Sequence, residues 1–273
     1  MKLGACVVLY EHTPDKINTY APLCDCIVAV DNGDNAVPEG IHRISMGGNK
    51  GIAAALNAGF EYLIKQGCDV VLTMDDDSAF PLADALSILP LVENRLGEYG
   101  IVGLNFNYFP GNKTDVVIRT HNWLTSGNFV SAEVWKTVGG YREELFIDYV
   151  DFDFCTRLEQ AGYKVGYLRD YSIEHKIGDP IEFKVFGRTF HAMNHPPIRD
   201  YYRYRNARFL SGENPQVFEK EYLKELFWQL PKMLLFEDNR AEKLRMIRRG
   251  ITDGKKGKLG KYSCEQRGTS SEQ

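Results

Sequence analysis

No stretch of this 273-residue chain approaches the ~20 consecutive apolar residues that a helix needs to cross a bilayer. Its first residues carry no basic segment followed by an apolar one and a cleavage site. Together these absences point to a cytoplasmic protein. Cysteine is sparse: there are six, and Cys24-Asp25-Cys26 has no second Cys/His pair at zinc-finger spacing. Neither a disulfide framework nor a structural zinc is expected, and Cys6, Cys68 and Cys155 read as reduced core thiols. The chain also lacks a Gly-rich loop ending in Gly-Lys-Ser/Thr and a G-x-G-x-x-G turn, which removes P-loop and dinucleotide-binding readings. Basic residues do not interleave with aromatics over the body, so no nucleic-acid partner is expected. No internal repeat is visible.

What is present fits an enzyme-sized globular chain. Apolar residues make up 44% and charged residues 26%, enough to bury one large α/β core, with or without an appendage. The net charge of −4 is unevenly spread. Between Arg240 and Lys261, nine basic residues face only Glu242 and Asp253, a local charge of +7 that leaves −11 elsewhere. Such a segment can meet anionic lipid head groups or be a solvated helix face.

Strand and helix alternate through the first half. Strands are predicted at Ala5–Tyr10, Ile27–Val30 and Ile41–Ser45, then a helix over Ile52–Lys65, where Leu56, Phe60 and Leu63 recur at helical spacing. Val70–Met74 is a β-branched apolar run, followed by a helix from Pro81 towards Leu96 and strands at Ile101–Phe106 and Val116–Arg119. This order implies right-handed crossovers and a mostly parallel sheet. Later come a helix from Ala132 stopped by Gly139-Gly140, a helix over Asp148–Ala161 and a strand at Lys164–Leu168. The stretch from His175 to Pro197 reads as loop. Helices follow at Arg199–Leu210, Val217–Phe236 (interrupted by Pro231) and Ala241–Ile251, then a Gly-, Lys- and Ser-rich tail expected to be mobile.

The junction Val70-Val71-Leu72-Thr73-Met74 into Asp75-Asp76-Asp77-Ser78 carries most of the functional information. Ligand chemistry in open α/β sheets sits just past the carboxyl ends of the strands. Three adjacent carboxylates there repel one another and stay ionised comfortably with a hard cation among them, most naturally Mg2+ or Mn2+. The plainer alternative is a solvated acidic turn capping the next helix.

Asp31 after the second strand, Gly48-Asn49-Lys50-Gly51-Ile52-Ala53 before a helix and the Asp75–Asp77 triplet occur in an order that resembles the family-2 glycosyltransferases of the GT-A fold. Phe146-Ile147-Asp148-Tyr149-Val150-Asp151-Phe152-Asp153 and Arg199-Asp200-Tyr201-Tyr202-Arg203-Tyr204-Arg205-Asn206 are similar to the rhamnosyltransferase branch. The resemblance covers most of residues 3–210. It implies a GT-A domain (Rossmann-like, α/β) over residues 1–210 and a C-terminal helical extension with a basic tail over 211–273.

It further implies an inverting, metal-dependent transfer from a nucleotide sugar. The favoured reaction moves L-rhamnose from dTDP-rhamnose to a hydroxyl of a cell-surface polysaccharide or lipid-linked glycan, and a UDP-sugar is the alternative donor. Asp77 is then the direct ligand of Mn2+ or Mg2+, Asp75 faces ribose and nucleotide, and Asp76 is the variable middle position. Strand alternation lets Asp75 and Asp77 share a site that Asp76 avoids. His175 would add an imidazole to the metal or diphosphate, though a lone loop histidine is often structural. Asp151 is the candidate base that takes the acceptor proton, with Asp148 close enough to couple; these acids could instead be helix-start carboxylates favoured by the macrodipole. Asp153 and Arg157 read as a structural i,i+4 pair.

For the nucleotide, the resemblance places Tyr10 and Glu11 beneath the base, Asp31 on a pyrimidine ring N–H, and Asn49 and Gly51 along base and ribose. Each has a local alternative; Asp31-Asn32-Gly33 is also a good turn. Asn57 follows the family pattern but could serve packing alone. Ser126 and Gly127 fall near the donor sugar and acceptor. Arg199, Tyr202, Arg203 and Arg205 could hold diphosphate or form an amphipathic surface element.

Two other classes compete. The Asp75/Asp77 spacing is shared by haloacid-dehalogenase-like phosphatases, but Ala79 replaces their usual Thr or Val and no later metal motif follows. A noncatalytic sugar-binding protein could dispense with Asp151. The apolar stripe Tyr222, Leu223, Leu226, Phe227, Leu230 and Leu234, followed by the basic segment, suggests peripheral membrane contact through the C-terminal region.

Overall fold

The computed structural model describes residues 1–10, 16–79, 82–106, 114–174, 181–185 and 188–263. β1 (Leu3–Leu9) is buried along its whole length, as a central strand of unbroken apolar sequence must be. It lies between β2 (Cys26–Asp31) and β4 (Val70–Asp75), and β3 (His42–Ser45) pairs with β2. These four strands are parallel. The sheet continues through β7 (Asn128–Ser131), β5 (Tyr99–Asn105), β8 (Lys164–Ser172) and β6 (Val117–Thr120), in the order β3-β2-β1-β4-β7-β5-β8-β6. β7 runs antiparallel to both β4 and β5, β5 and β8 are parallel, and β6 closes the edge antiparallel to β8.

This topology decides where the chemistry can gather. Because β7 opposes β4, the residues entering β7, Ser126 and Gly127, arrive at the edge where β4 ends in Asp75. α4 (Val150–Gln160) returns to the opposite edge before β8 begins. Its amino-terminal turn, with Asp151, therefore starts at the edge where β1, β2 and β4 finish.

Strand alternation sends Cys6 and Val8 to one face and Ala5, Val7 and Leu9 to the other, giving two core layers. The first is covered by α1 (Ile52–Lys65) and α4, with Phe60 stacked on Trp135 at 5.1 Å. α2 (Leu82–Glu93) and α3 (Ala132–Val138) complete the crossovers; Pro81, the expected start of α2, lies outside the described residues.

The stretch expected to be loop contains a hairpin, β9 (Ile181–Val185) with β10 (Arg188–Ala192). An isolated two-stranded ribbon is marginal alone, and the Phe183 ring stacks at 3.6 Å on Phe236. That partner is remote in sequence, which is why local pattern missed the ribbon. α5 (Pro197–Glu213) runs unbroken past residue 210. α6 (Pro215–Lys224), a π-helical turn over Glu225–Gln229 and α7 (Leu230–Phe236) make one bent rod.

α8 (Arg240–Lys255) extends beyond the expected Ile251, and the segment to 263 packs instead of trailing free. Gly250 and Gly254 explain the tight seat: a Cβ on them would stand 2.4 Å from the Tyr201 carbonyl and 2.3 Å from that of Arg205. Here glycine serves close helix approach, not mobility.

Candidate active site

At the end of β4 the three acids diverge. Asp76 turns toward β1 and its carboxylate accepts from the Tyr10 amide at 2.9 Å. Asp75 donates its own amide to Ser126 Oγ at 3.2 Å, and Ser126 Oγ lies 2.8 Å from Ser78 Oγ. Ser78 in turn reaches Asp77 Oδ1 at 3.4 Å, and the Gly127 amide donates to the Thr73 carbonyl at 2.7 Å. The Ser126–Gly127 loop is thus sewn to the acidic turn. Ala79 and Glu174 exchange both backbone hydrogen bonds at 2.9 Å. His175, like Glu11, lies outside the described residues.

The corner after β2 is organised by Asp31. Fully buried, it accepts from the amides of Gly33 (3.1 Å) and Asn35 (3.2 Å), from the Asn35 side chain (3.0 Å) and from the Arg43 guanidinium. Burial alone would raise its pKa; the bonds from Arg43, Asn35 and Gly33 outweigh it and bring the carboxyl down to about 2. Asn32 Oδ1 accepts from the Lys50 amide at 2.8 Å, and Asn49 Oδ1 from the Gly51 amide at 2.9 Å. Gly51 adopts φ +92, and a Cβ there would sit 2.5 Å from the Phe146 carbonyl, so only glycine lets this loop meet the second half of the site.

That second half is a strained turn. Phe146 has φ 66 and ψ −66, and the Ile147 amide bonds back to the Leu145 carbonyl at 2.8 Å, a γ-turn of the rare positive-φ hand. Asp148 (φ 61) and Tyr149 (φ 64) are also left-handed, and such costs of ~1–3 kcal/mol per residue persist only where surroundings impose them. The surroundings here are α5. Asn206 Nδ2 donates to the carbonyls of Leu145 (2.9 Å), Ile147 (2.8 Å) and Asp148 (2.8 Å). Arg205, fully buried, bonds the carbonyls of Glu144, Leu145 and Gly260. Phe146 stacks on Tyr202 at 4.8 Å, Ile52 donates to the Phe146 carbonyl at 2.9 Å, and Tyr149 Oη donates to Glu225 at 3.0 Å.

The turn delivers Asp151 to the wall of a cavity of about 550 Å³ whose lining includes Asp75, Asp148, Asp151, His195, Arg199 and Arg203. Desolvation, reinforced by the negative charges of Asp148 and Asp75 and opposed by the Phe152 amide, pushes the Asp151 carboxyl up to about 7. Asp148 Oδ1 lies 3.3 Å from Arg199 Nε, while its buried Oδ2 has no protein partner. Arg203 Nε lies 2.9 Å from Glu225 Oε2. His195 carries a pKa lowered to about 4 by burial and by Arg199, Arg203 and Lys243, so it stands in the cavity as a neutral imidazole. Pattern reading passed over His195 and Glu225; the only local signal is the His-Pro-Pro entry into α5.

The sequence candidates therefore divide. Asp75 and Asp151 meet in one cavity with Arg203, and Ser126, Gly127, Asp76 and Asp77 form its adjoining turn. Tyr10, Asp31, Asn49 and Gly51 form the neighbouring corner. Arg205 and Tyr202 support the strained turn, where Arg205 is fully buried against backbone carbonyls. Asn57 bridges α1 to Tyr141 and Glu143, and Asp153 pairs with Arg157 at 2.8 Å; both are structural ties. The described part of the tail expected to be mobile reaches the corner too, where Lys261 Nζ donates to the Asn49 carbonyl at 3.0 Å; its last stretch, 264–273, lies outside the described residues.

No family model matches the chain. It is 32% identical over 215 residues to dTDP-rhamnosyl transferase RfbF of Shigella flexneri, covering 69% of this chain and 71% of that protein. The fold is similar to S. aureus TarS 1-349 in complex with UDP-GlcNAc (TM-score 0.59, 12% identity, 93% of this chain and 80% of that one). It is also similar to GalNAc-T7 with UDP, GalNAc and Mn2+ (TM-score 0.55, 11% identity, 93% and 55%).

Proposed function

The chain belongs to the rhamnosyltransferase-like glycosyltransferases of the GT-A fold, and from that premise we propose that it transfers L-rhamnose from dTDP-rhamnose, with inversion, to a hydroxyl of a surface polysaccharide or lipid-linked glycan. The observation that carries this reading is the meeting of Asp75 and Asp151 in one cavity, with Asp151 near neutrality. A carboxylate titrating near 7 can take a hydroxyl proton at physiological pH and still be basic enough to drive the attack. The acceptor oxygen bonds to the anomeric carbon, its proton passes to Asp151, and the bond to the diphosphate breaks with the electron pair leaving on dTDP. Asp148 Oδ2, buried without a protein partner, is placed to accept from a substrate hydroxyl, and neutral His195 can donate or accept without adding charge.

The acids suit a hard divalent cation held partly by the donor. Asp77, half-buried and bonded to Ser78, offers a carboxylate oxygen, and among the described residues no group of three or more His, Cys, Asp or Glu is placed to hold a metal ion by itself. Mg2+ and Mn2+ are commonly held this way, through one or two carboxylates plus substrate phosphates. Asp77 would hold the ion, with His175 as the further candidate; when bound, it would neutralise charge on the departing diphosphate. Asp31, Asn49, Gly51, Tyr10 and Glu11 would form the nucleotide corner. Residues 1–210 act as the transferase domain in this reading, with 211–273 as an extension that supports its strained turn and contacts the membrane from the cytoplasmic side. No described helix is long and apolar enough to span one.

The test is donor selection with metal control. dTDP and UDP should bind in the presence of Mn2+, GDP should not, and dTDP-rhamnose should turn over fastest; EDTA should abolish turnover and Mn2+ or Mg2+ restore it. Faster turnover of a UDP-sugar would overturn the rhamnosyl donor, and full activity in EDTA would overturn the metal role.

A further inference from the structure

The apolar stripe of the C-terminal rod is split by the fold. Leu226, Leu230 and Leu234 pack inward with Met233, Tyr204 and Ile247. Phe227 is 74% exposed, Trp228 56% and Leu235 64%, and Leu223 is also exposed. Phe227, Leu235 and Trp228 have the three largest exposures among the described large apolar residues, and they fall on one short rod. Leu223 and Phe227 stand four residues apart and Trp228 and Leu235 seven, about one and two turns along the rod. Lys224 and Lys232 stand four residues to either side of Trp228, and Lys232 Nζ lies 5.9 Å from its ring centroid. α8 packs chiefly on α5, shares one apolar cluster with the rod through Leu244, Ile247 and Ile251, and exposes Arg240, Arg245, Arg248 and Arg249.

We infer that this face of the rod, with Phe227, Trp228 and Leu235 as its apolar anchors and Lys232 beside Trp228, docks on an anionic lipid bilayer, the exposed arginines of the next helix, α8, adding positive charge to the same C-terminal region. An amphipathic rod with aromatic anchors and a basic surround is complementary to a negative head-group layer over hydrocarbon. Charge makes the choice of occupant: the rod itself is balanced, Lys220, Lys224 and Lys232 against Glu219, Glu221 and Glu225, and the positive excess of the chain follows directly after it in α8 and the segment to Lys261, whereas the rest of the chain is acidic. The same rod walls the catalytic cavity, since Glu221, Lys224, Glu225 and Gln229 line it. Docking by this face would therefore hold the cavity beside the bilayer, where an acceptor on a lipid carrier enters from the membrane. That last consequence rests on the transferase reading; the docking itself does not.

The experiment is sedimentation of the full chain with vesicles of phosphatidylcholine alone and with a large fraction of phosphatidylglycerol, together with Trp228 emission. Wild-type protein should pellet with the anionic vesicles and shift its emission to the blue, with weak pelleting on the neutral ones. Phe227→Ser/Trp228→Ser should lower vesicle affinity at least tenfold, and Lys232→Glu severalfold, with circular dichroism and dTDP affinity unchanged. Pelleting unaffected by these changes, or absent from the wild type, overturns the inference. A concentration-dependent dimer that the double variant abolishes, without vesicle binding, assigns the face to a second copy and also overturns it. Vesicle binding that persists while no sugar nucleotide turns over would leave the docking face standing and remove the transferase reading.

Discussion

Asp31 at the corner after β2 and Asp151 at the head of α4 are carboxylates at the same edge of one sheet, and their surroundings drive them in opposite directions. The corner closes on Asp31 with its own next few residues and with Arg43 from β3, and the carboxyl falls to about 2. The turn before α4 offers Asp151 only backbone amides, that of Phe152 and its own, with two acidic neighbours in the cavity, and with desolvation the carboxyl rises to about 7. An ion saturated with donors is fixed in place; an ion short of them is ready to take a proton. The corner is made by short-range contacts, the turn by an α5 helix nearly sixty residues later in the chain. One region suits holding, the other reacting.

The largest expected effect tests the reactive side. Asp151→Asn should lower turnover by roughly 10²–10⁴-fold, the range for loss of a general base, with donor affinity little changed in a binding titration. Wild-type turnover should climb with pH and level off above about 7, and the variant should lose that limb. Stability must follow the opposite sign. With a folded pKa above the unfolded value of ~3.9, Asp151 contributes stability at low pH that is lost as pH rises through about 7. Asp151→Asn should therefore melt above the wild type at pH 8 and with it near pH 4.

Next comes the scaffold of the turn. Asn206→Ala removes the donor to three carbonyls, costing about 2–3 kcal/mol in denaturant unfolding. Turnover should fall by ~10²-fold because a small displacement of a catalytic group is costly. A variant that loses the stability yet keeps full turnover would show that Asp151 does not depend on the strained turn.

Gly51→Ala probes the contact between the two regions. Its Cβ would press on the Phe146 carbonyl at 2.5 Å from a backbone at φ +92, so about 1–3 kcal/mol of destabilisation is expected, with a raised KM for the donor as well as reduced kcat. A change in KM alone would separate corner from turn.

The smallest effect belongs to Asp31→Asn, which weakens the bond from Arg43 by about 1–2 kcal/mol. Here the folded pKa is depressed, so the stability is present above ~4 and is lost as pH falls toward about 2. The gap between wild type and variant in urea unfolding should shrink as pH falls from 5 to 2. A gap that widened would mean the carboxylate is not held by these donors.

Much of the corner after β2 and of the acidic end of β4 was legible. β4 with Asp75–Asp77 reads directly as an apolar strand meeting charge, and Gly48-Asn49-Lys50-Gly51 reads as a turn into α1. Other parts misled for physical reasons. The α5 run from Arg199 to Asn206 looks like an amphipathic surface element, yet Arg205 and Asn206 are buried behind the strained turn, because their partners are backbone carbonyls that carry no side-chain signature. The hairpin at β9 and β10 depends on Phe236, and the glycines of α8 depend on Tyr201 and Arg205. Neither partner is near enough in sequence to alter a local pattern.

The sequence by itself determined the alternation of strands and helices, the acidic end of β4 and the family, because periodicity, charge clustering and motif order are properties of neighbouring residues. Only the tertiary structure decided that β7 enters antiparallel beside β4, that Asp151 shares a cavity with Asp75, that Arg203 lies against Glu225, and that the apolar stripe divides into a packed side and an exposed one. A side chain's protonation and partners are set by what lies within a few ångströms of it, and at this site those neighbours come from α5, the rod of α6 and α7, and the loop before α1. Their distance along the chain hides them from any local reading.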